Sequence, residues 1–221
     1  SDLNHIGKYK TLSSIPEKIV LQINDTHPSL LIAELMRLLV DDYDMPWDEA
    51  WDITNRTCAY TNHTILAEAL EKWPVDILEP VLPRIYQIIE EINSRFCGML
   101  QEKGYDQDTI TRLAIISHGR IHMAHLAIVG SFSVNGVAAL HTNILKNIEM
   151  KEFSDLYPSK FNNKTNGITH RRWLKHSNKE LSDILDMVSD NWEKDPSELE
   201  KLLPKDKFKK SKHLIKKMKY D

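Results

Sequence analysis

The feature that most constrains the fold is the run Lys18-Ile-Val-Leu-Gln-Ile-Asn24. It is β-branched and apolar on both faces except at Gln22. Such a run suits a parallel strand covered on both sides. It ends in Asn24-Asp25-Thr26-His27-Pro28, which reads as a polar turn with proline at the start of a helix. Leu31, Leu35, Leu38 and Leu39 then mark one apolar stripe of that helix. Pro46 opens a second helix, with Asp48 and Glu49 in the first turn, where the helix dipole favours anions.

Cys58-Ala-Tyr-Thr61 is a second short strand, followed by the polar triplet Asn62-His63-Thr64. Leu66, Leu70 and Trp73 suggest a brief helix. Pro83 begins the clearest helix, in which Ile85, Ile88, Ile89, Ile92 and Phe96 share a stripe. Leu113-Ala-Ile-Ile116 is a third strand candidate, and helices are expected over 119–129 and 136–147, separated by Ser131-Phe-Ser-Val-Asn-Gly136. Residues 161–169 read as irregular or as a weak strand, and Asp195-Pro-Ser-Glu198 as a capping box. Short strands alternating with helices predict a helix-rich α/β layer structure, a partial doubly wound parallel sheet.

Composition narrows the function classes. The chain has 221 residues, 41% hydrophobic and 28% charged, with a net charge of −3. These are values of an ordinary globular protein, and they give no global pull toward nucleic acid. Two cysteines, Cys58 and Cys97, without a Cys-x-x-Cys pairing, suit a reduced, cytoplasmic setting. No apolar stretch approaches the ~20 residues that span a bilayer. The amino terminus lacks the pattern of a signal peptide, so the Asn-x-Thr sequons at Asn24, Asn55, Asn62 and Asn163 read as chance or local structure. A leading Ser in place of Met suggests an excised piece.

In open α/β sheets ligands gather beyond the carboxyl ends of the strands. Asp25-Thr26-His27 and Asn62-His63-Thr64 stand at two such ends. The same residue types also cap helices and turns, and on the residues alone both readings stay open, with capping the simpler. His118, His122 and His125 are spaced to share one helix face, a possible zinc site. Gly119 breaks the His-Glu-x-x-His pattern, and no metal is expected. The lysine-rich segment 204–221 reads as a solvated helix face with Phe208, Ile215 and Met218 turned inward, rather than as a nucleic-acid contact.

Several strings, in order, resemble the α-glucan (glycogen, starch or maltodextrin) phosphorylase family. They are Gln22-Ile-Asn-Asp-Thr-His-Pro-Ser-Leu30, Cys58-Ala-Tyr-Thr-Asn-His-Thr64 with Glu68-Ala-Leu-Glu71 and Trp73-Pro74, His122-Met-Ala-His-Leu126, Val134-Asn-Gly-Val-Ala138, Lys160-Phe161, Asn163-Lys-Thr-Asn-Gly-Ile-Thr169 and Arg171-Arg-Trp-Leu174. The resemblance covers 1–221 as the latter part of that family's N-terminal domain and is strongest over 18–174. It implies a fragment of a two-lobed, GT-B-like glycosyltransferase that releases glucose 1-phosphate from α-1,4-glucan ends with phosphate and pyridoxal phosphate.

Carried onto this sequence, the resemblance places His63 and Asn166 on the sugar 6-hydroxyl, with Val137 beside them. Asp25, His27, Thr64 and Glu71 would line the neighbouring channel, and Trp173 would pack near the cofactor. His63 is then a positioning residue, not a nucleophile. The family's cofactor lysine in a Gly-Asn-Met-Lys context does not occur in this sequence, nor do its phosphate-gripping basic loop and upstream glycine-rich loop. His170 stands where the family usually has proline, and Phe132 where some members have histidine. The expectations are therefore an isolated chain without activity, a homodimer for the full-length family, and the remainder of the enzyme as partner, without nucleic acid or membrane. The competing expectation is a noncatalytic glucan- or partner-binding remnant.

Overall fold

The computed structural model describes residues 12–202, which fall into two compact units divided at Asn166 and Gly167. The first unit opens with α1 (Ile15–Lys18), β1 (Leu21–Asn24), α2 (Leu31–Arg37), α3 (Trp47–Thr57), β2 (Cys58–Thr61) and β3 (Lys72–Pro74). It continues with α4 (Val75–Val81), α5 (Pro83–Glu102), α6 (Gln107–Leu113), β4 (Ile116–Ser117), β5 (Arg120–His122) and α7 (Met123–Val129). β6 (Ser133–Gly136), α8 (Ala139–Ile144), α9 (Lys151–Leu156) and β7 (Phe161–Asn163) complete it. π-helical turns extend α2 over Leu38–Asp42 and α8 over Leu145–Glu149.

β1, β2, β6 and β7 form a parallel sheet in that order. Each crossover steps in the same direction, and crossovers of one hand stepping one way place their helices on one face. Burial agrees. Ile23, Tyr60, Val134 and Phe161 are register partners across the four strands, and all four are buried in the core. The next row, Asn24, Thr61, Asn135 and Asn162, is polar and belongs to the opposite face. The expectation that the first strand is covered on both sides is thus corrected: Val20 is 57% exposed, and Gln22 and Asn24 are exposed.

The helices fill the core side. α5 buries Ile85, Ile88, Ile89, Ile92, Phe96 and Leu100 along one stripe, each contributing roughly 1.5–3 kcal/mol of transfer free energy. α3 begins after Pro46 with Asp48 and Glu49 in its first turn. In α2 the buried positions are Ile32, Ala33, Leu35 and Met36, followed by Leu39, one step round from the leucine stripe expected. Pro28 lies in the preceding turn rather than at the helix start.

Four further expectations are corrected. Leu66, Leu70 and Trp73 do not share a helix; a 3-10 turn over Ala67–Ala69 leads into β3. Leu113 ends α6, and only Ile116–Ser117 is extended. Residues 120–122 are β5, not helix. β3, β5 and β4 make a small antiparallel sheet in that order. The stretch read as a separator, residues 131–136, contains β6, a central strand of the main sheet.

In the second unit a π-helical segment, Arg171–His176, precedes α10 (Lys179–Asp186). The Leu181 N–H donates to the Asn178 side chain, which caps α10. Trp192 is buried, and its indole N–H donates to Asp186 at 2.8 Å. His170 Nε2 donates to the Glu193 carbonyl at 2.6 Å. The Ser197 N–H donates to Asp195 Oδ1 at 3.0 Å, ahead of a 3-10 run over Pro196–Leu202. The lysine-rich segment 204–221 lies outside the described residues.

Candidate functional site

The polar face of the parallel sheet builds the site. Gln22 Nε2 donates to Thr61 Oγ1 at 2.7 Å, and Thr61 Oγ1 donates to Asn135 Oδ1 at 2.8 Å. Asn135 Nδ2 in turn donates to the Gly136 carbonyl. A chain of hydrogen bonds therefore crosses three strands, along a concavity of about 500 Å³ that runs over this face from Val20, Ala59 and Phe132 to the carboxyl ends. His63, Val137, Lys164, Asn166 and Asn24 are among the residues that line it.

The backbone fixes the turns that carry these side chains. The Asp25 N–H donates to the Thr61 carbonyl at 2.8 Å, and the Asn62 N–H to the Asn135 carbonyl at 2.9 Å. Lys164 and Asn166 donate their N–H groups to the carbonyls of Gly136 and Val137. Asp25 adopts φ +63°, a left-handed conformation that turns the chain sharply after β1, and its carboxylate accepts from the Thr26 N–H. Asn62 is fully buried, and its Nδ2 donates to the Tyr60 hydroxyl at 3.0 Å. Burial raises the Tyr60 phenol pKa, and the Asn62 bond opposes that shift.

The structure brings together three of the residues expected from sequence: His63, Val137 and Asn166. Asp25 and His27 follow the same strand end, and Thr64 follows His63, with its hydroxyl accepting from the Leu66 N–H. Glu71 accepts from the Thr26 hydroxyl at 2.5 Å but opens onto a different depression, which it shares with Lys72, Ser117, His118 and His122. Trp173 belongs to the second unit and is 68% exposed.

Sequence reasoning missed Asn24 and His141. Asn24 was read as the end of a strand, yet its Oδ1 lies 2.6 Å from His63 Nε2. His141 Nδ1 accepts from the Val137 N–H at 3.3 Å. Burial lowers the His141 pKa, the His63 ring lowers it further, and the Thr64 backbone and Asp25 oppose this. Register alternation beyond Gln22 was the available signal for Asn24; nothing in the sequence marked His141.

The histidines expected on one helix face are not arranged that way. His118 sits in a turn at φ +51°, His122 ends β5, and only His125 lies on α7. His122 Nε2 lies 3.0 Å from Ser117 Oγ, its ring stacks on that of His125, and His125 Nδ1 donates to the Ala114 carbonyl at 2.9 Å. Among the described residues no group of three or more His, Cys, Asp or Glu side chains is placed to hold a metal ion. No helix among them is long and apolar enough to cross a membrane.

A parallel α/β sheet with polar side chains such as His63 and Asn166 gathered at its carboxyl strand ends has the layout of a ligand-binding α/β protein. The chain belongs to the carbohydrate phosphorylase family, whose sequence profile matches residues 3–221. It is 54% identical over 203 residues to the glycogen phosphorylase of Bacillus subtilis, covering 91% of this chain and 25% of that protein. It is 52% identical over 195 residues to the muscle form of glycogen phosphorylase from Homo sapiens, covering 86% of this chain and 23% of that one. The muscle form from Oryctolagus cuniculus is 51% identical over the same length. The chain thus spans about a quarter of the length of these relatives.

Proposed function

We propose that this chain is the segment of an α-1,4-glucan phosphorylase that holds the terminal glucosyl unit while phosphate cleaves it. The observation that carries the reading is the meeting of His63, Val137 and Asn166 at the strand-end side of one concavity on the exposed sheet face. His63 and Asn166 would bind the sugar 6-hydroxyl, Val137 would pack beside the ring, and Asp25, His27, Thr64 and Glu71 would border the channel. Such groups accelerate reaction by orienting the substrate, which lowers the entropic part of the barrier. None is asked to act as a nucleophile. The family reading also brings a cytoplasmic location and a homodimer for the whole enzyme.

Pyridoxal phosphate is the cofactor this family reading implies, and it would supply the proton chemistry at the phosphate. The described residues do not by themselves build its site. The Lys160 ammonium donates to the Ile128 and Val129 carbonyls at 3.2 Å and lies over the Tyr157 ring, in a depression with Trp47 and Trp51 that is separate from His63. Lys164 is exposed. Trp173 offers one aromatic surface and a single indole N–H.

Grafting tests the reading. The segment is exchanged for its counterpart in the Bacillus subtilis glycogen phosphorylase, and glucose 1-phosphate release from maltodextrin is measured. Retained activity is the expected result. A folded chimera without turnover would contradict it.

A further inference from the structure

We propose that Asn24 is a positioning residue that holds the His63 ring as its Nε2–H tautomer, leaving Nδ1 as a hydrogen-bond acceptor for the ligand. The inference deepens the sugar-contact reading of His63 and rests on it for the identity of that ligand. The ring geometry itself is independent of any ligand.

Asn24 Oδ1 stands 2.6 Å from His63 Nε2. With the Asn24 side-chain oxygen, and not its NH2, facing the ring, the hydrogen of this bond sits on Nε2, because a carbonyl oxygen only accepts. In the neutral imidazole the other nitrogen then carries a lone pair. The ring thus keeps an acceptor at Nδ1, which suits a hydroxyl and disfavours a substituent that can only accept.

Both partners stand on hydrogen-bonded backbone, with their side chains exposed. Asn24 is paired with Thr61 in the sheet, and the residue after it is tied to the Thr61 carbonyl at 2.8 Å in a left-handed turn. His63 follows Asn62, which is pinned through its backbone to Asn135 and through its side chain to Tyr60. The contact also repeats a geometry found one rung earlier. Gln22 is registered with Ala59 and reaches two residues further to Thr61. Asn24 is registered with Thr61 and reaches two residues further to His63. Side chains on this face lean along the strand direction, so the sheet sets the direction in which Asn24 points.

The ring state is read in the full 221-residue chain, without sugar, by long-range proton–nitrogen spectra of ¹⁵N-histidine, with His63→Gln to assign the signals. Failure here is therefore separate from failure of the sugar reading, which the graft tests. The expected result is a single neutral Nε2–H tautomer in an ordered ring. Asn24→Leu should raise the Nδ1–H form from undetectable to a measurable population and narrow the ring signals. Asn24→Asp, read at a pH where the ring is neutral, should keep the hydrogen on Nε2, because a carboxylate also only accepts. An Nδ1–H ring in the unsubstituted chain would overturn the proposal. So would an unchanged tautomer and ring order in a folded Asn24→Leu chain. If Asn24→Leu fails to fold, a neutral Nδ1–H ring in Asn24→Asp would overturn it.

Discussion

The Thr26 hydroxyl donates to the Glu71 carboxylate at 2.5 Å, joining the turn after β1 to the segment before β3 across 45 residues of sequence. Thr26 is 1% exposed, so the bond is sheltered from competing water on its donor side. Replacing Thr26 with Val keeps the shape and removes the donor. A hydrogen bond to a charged group is worth about 1.5–3 kcal/mol, and Glu71 is only half-buried, so the lower end applies. Urea denaturation of Thr26→Val should show a loss of about 1–2 kcal/mol. An unchanged midpoint would show that this bond does not hold the turn.

Stability should fall on mild acidification through His125 and His122. Burial lowers the His125 pKa to about 4, against partial opposition from the Ala114 backbone. Burial, then the neighbouring His125 ring and Lys72, lower His122 to about 4. The unfolded chain takes up these protons near pH 6.5, while the folded chain resists them until about pH 4. The contribution is therefore complete above pH 6.5 and is lost as pH falls from there toward 4. For His125 the loss is at most about 3 kcal/mol; for the more exposed His122 it is smaller. Denaturation midpoints from pH 7 to 5 should decline, and less so in His125→Gln. Parallel pH profiles for the two proteins would contradict this.

Gly136 lies close against His141 and Thr142 of α8. A Cβ there would stand 2.4 Å from Thr142 Oγ1, 2.6 Å from His141 Nδ1 and 3.0 Å from the Thr142 Cα. The last is backbone and yields least. Gly136→Ala should cost about 1–3 kcal/mol by overpacking and displace the His141 ring from the Val137 N–H. Thermal unfolding together with the histidine spectrum checks both effects. A variant of normal stability with an unmoved His141 signal would refute the close approach.

Legibility of the sequence followed burial. β2 and the stripe of α5 were readable because Cys58, Tyr60 and the isoleucines of 85–92 face the core at the period of their element. β6 was not, because Val134 is its one core-facing apolar residue and Ser133, Asn135 and Gly136 look like a loop. The β3–β5–β4 sheet escaped because strands of two or three residues carry no period. The histidines at 118, 122 and 125 misled for a related reason: helical spacing means nothing when a turn and a strand interrupt it. His63, Val137 and Asn166 were found through family strings, whereas Asn24 and His141 needed the sheet register and the packing around Gly136.

The proposed contact of His63 with the sugar is tested most directly in the grafted enzyme, with His63→Ala assayed on a normal glucosyl donor and on one lacking the 6-hydroxyl. A buried hydroxyl that loses its partner costs about 1–3 kcal/mol, or roughly five- to hundredfold in kcat/KM. The account predicts that loss on the normal donor and a much smaller one on the deoxy donor, because there the contact is already gone. Equal losses on the two donors would contradict it.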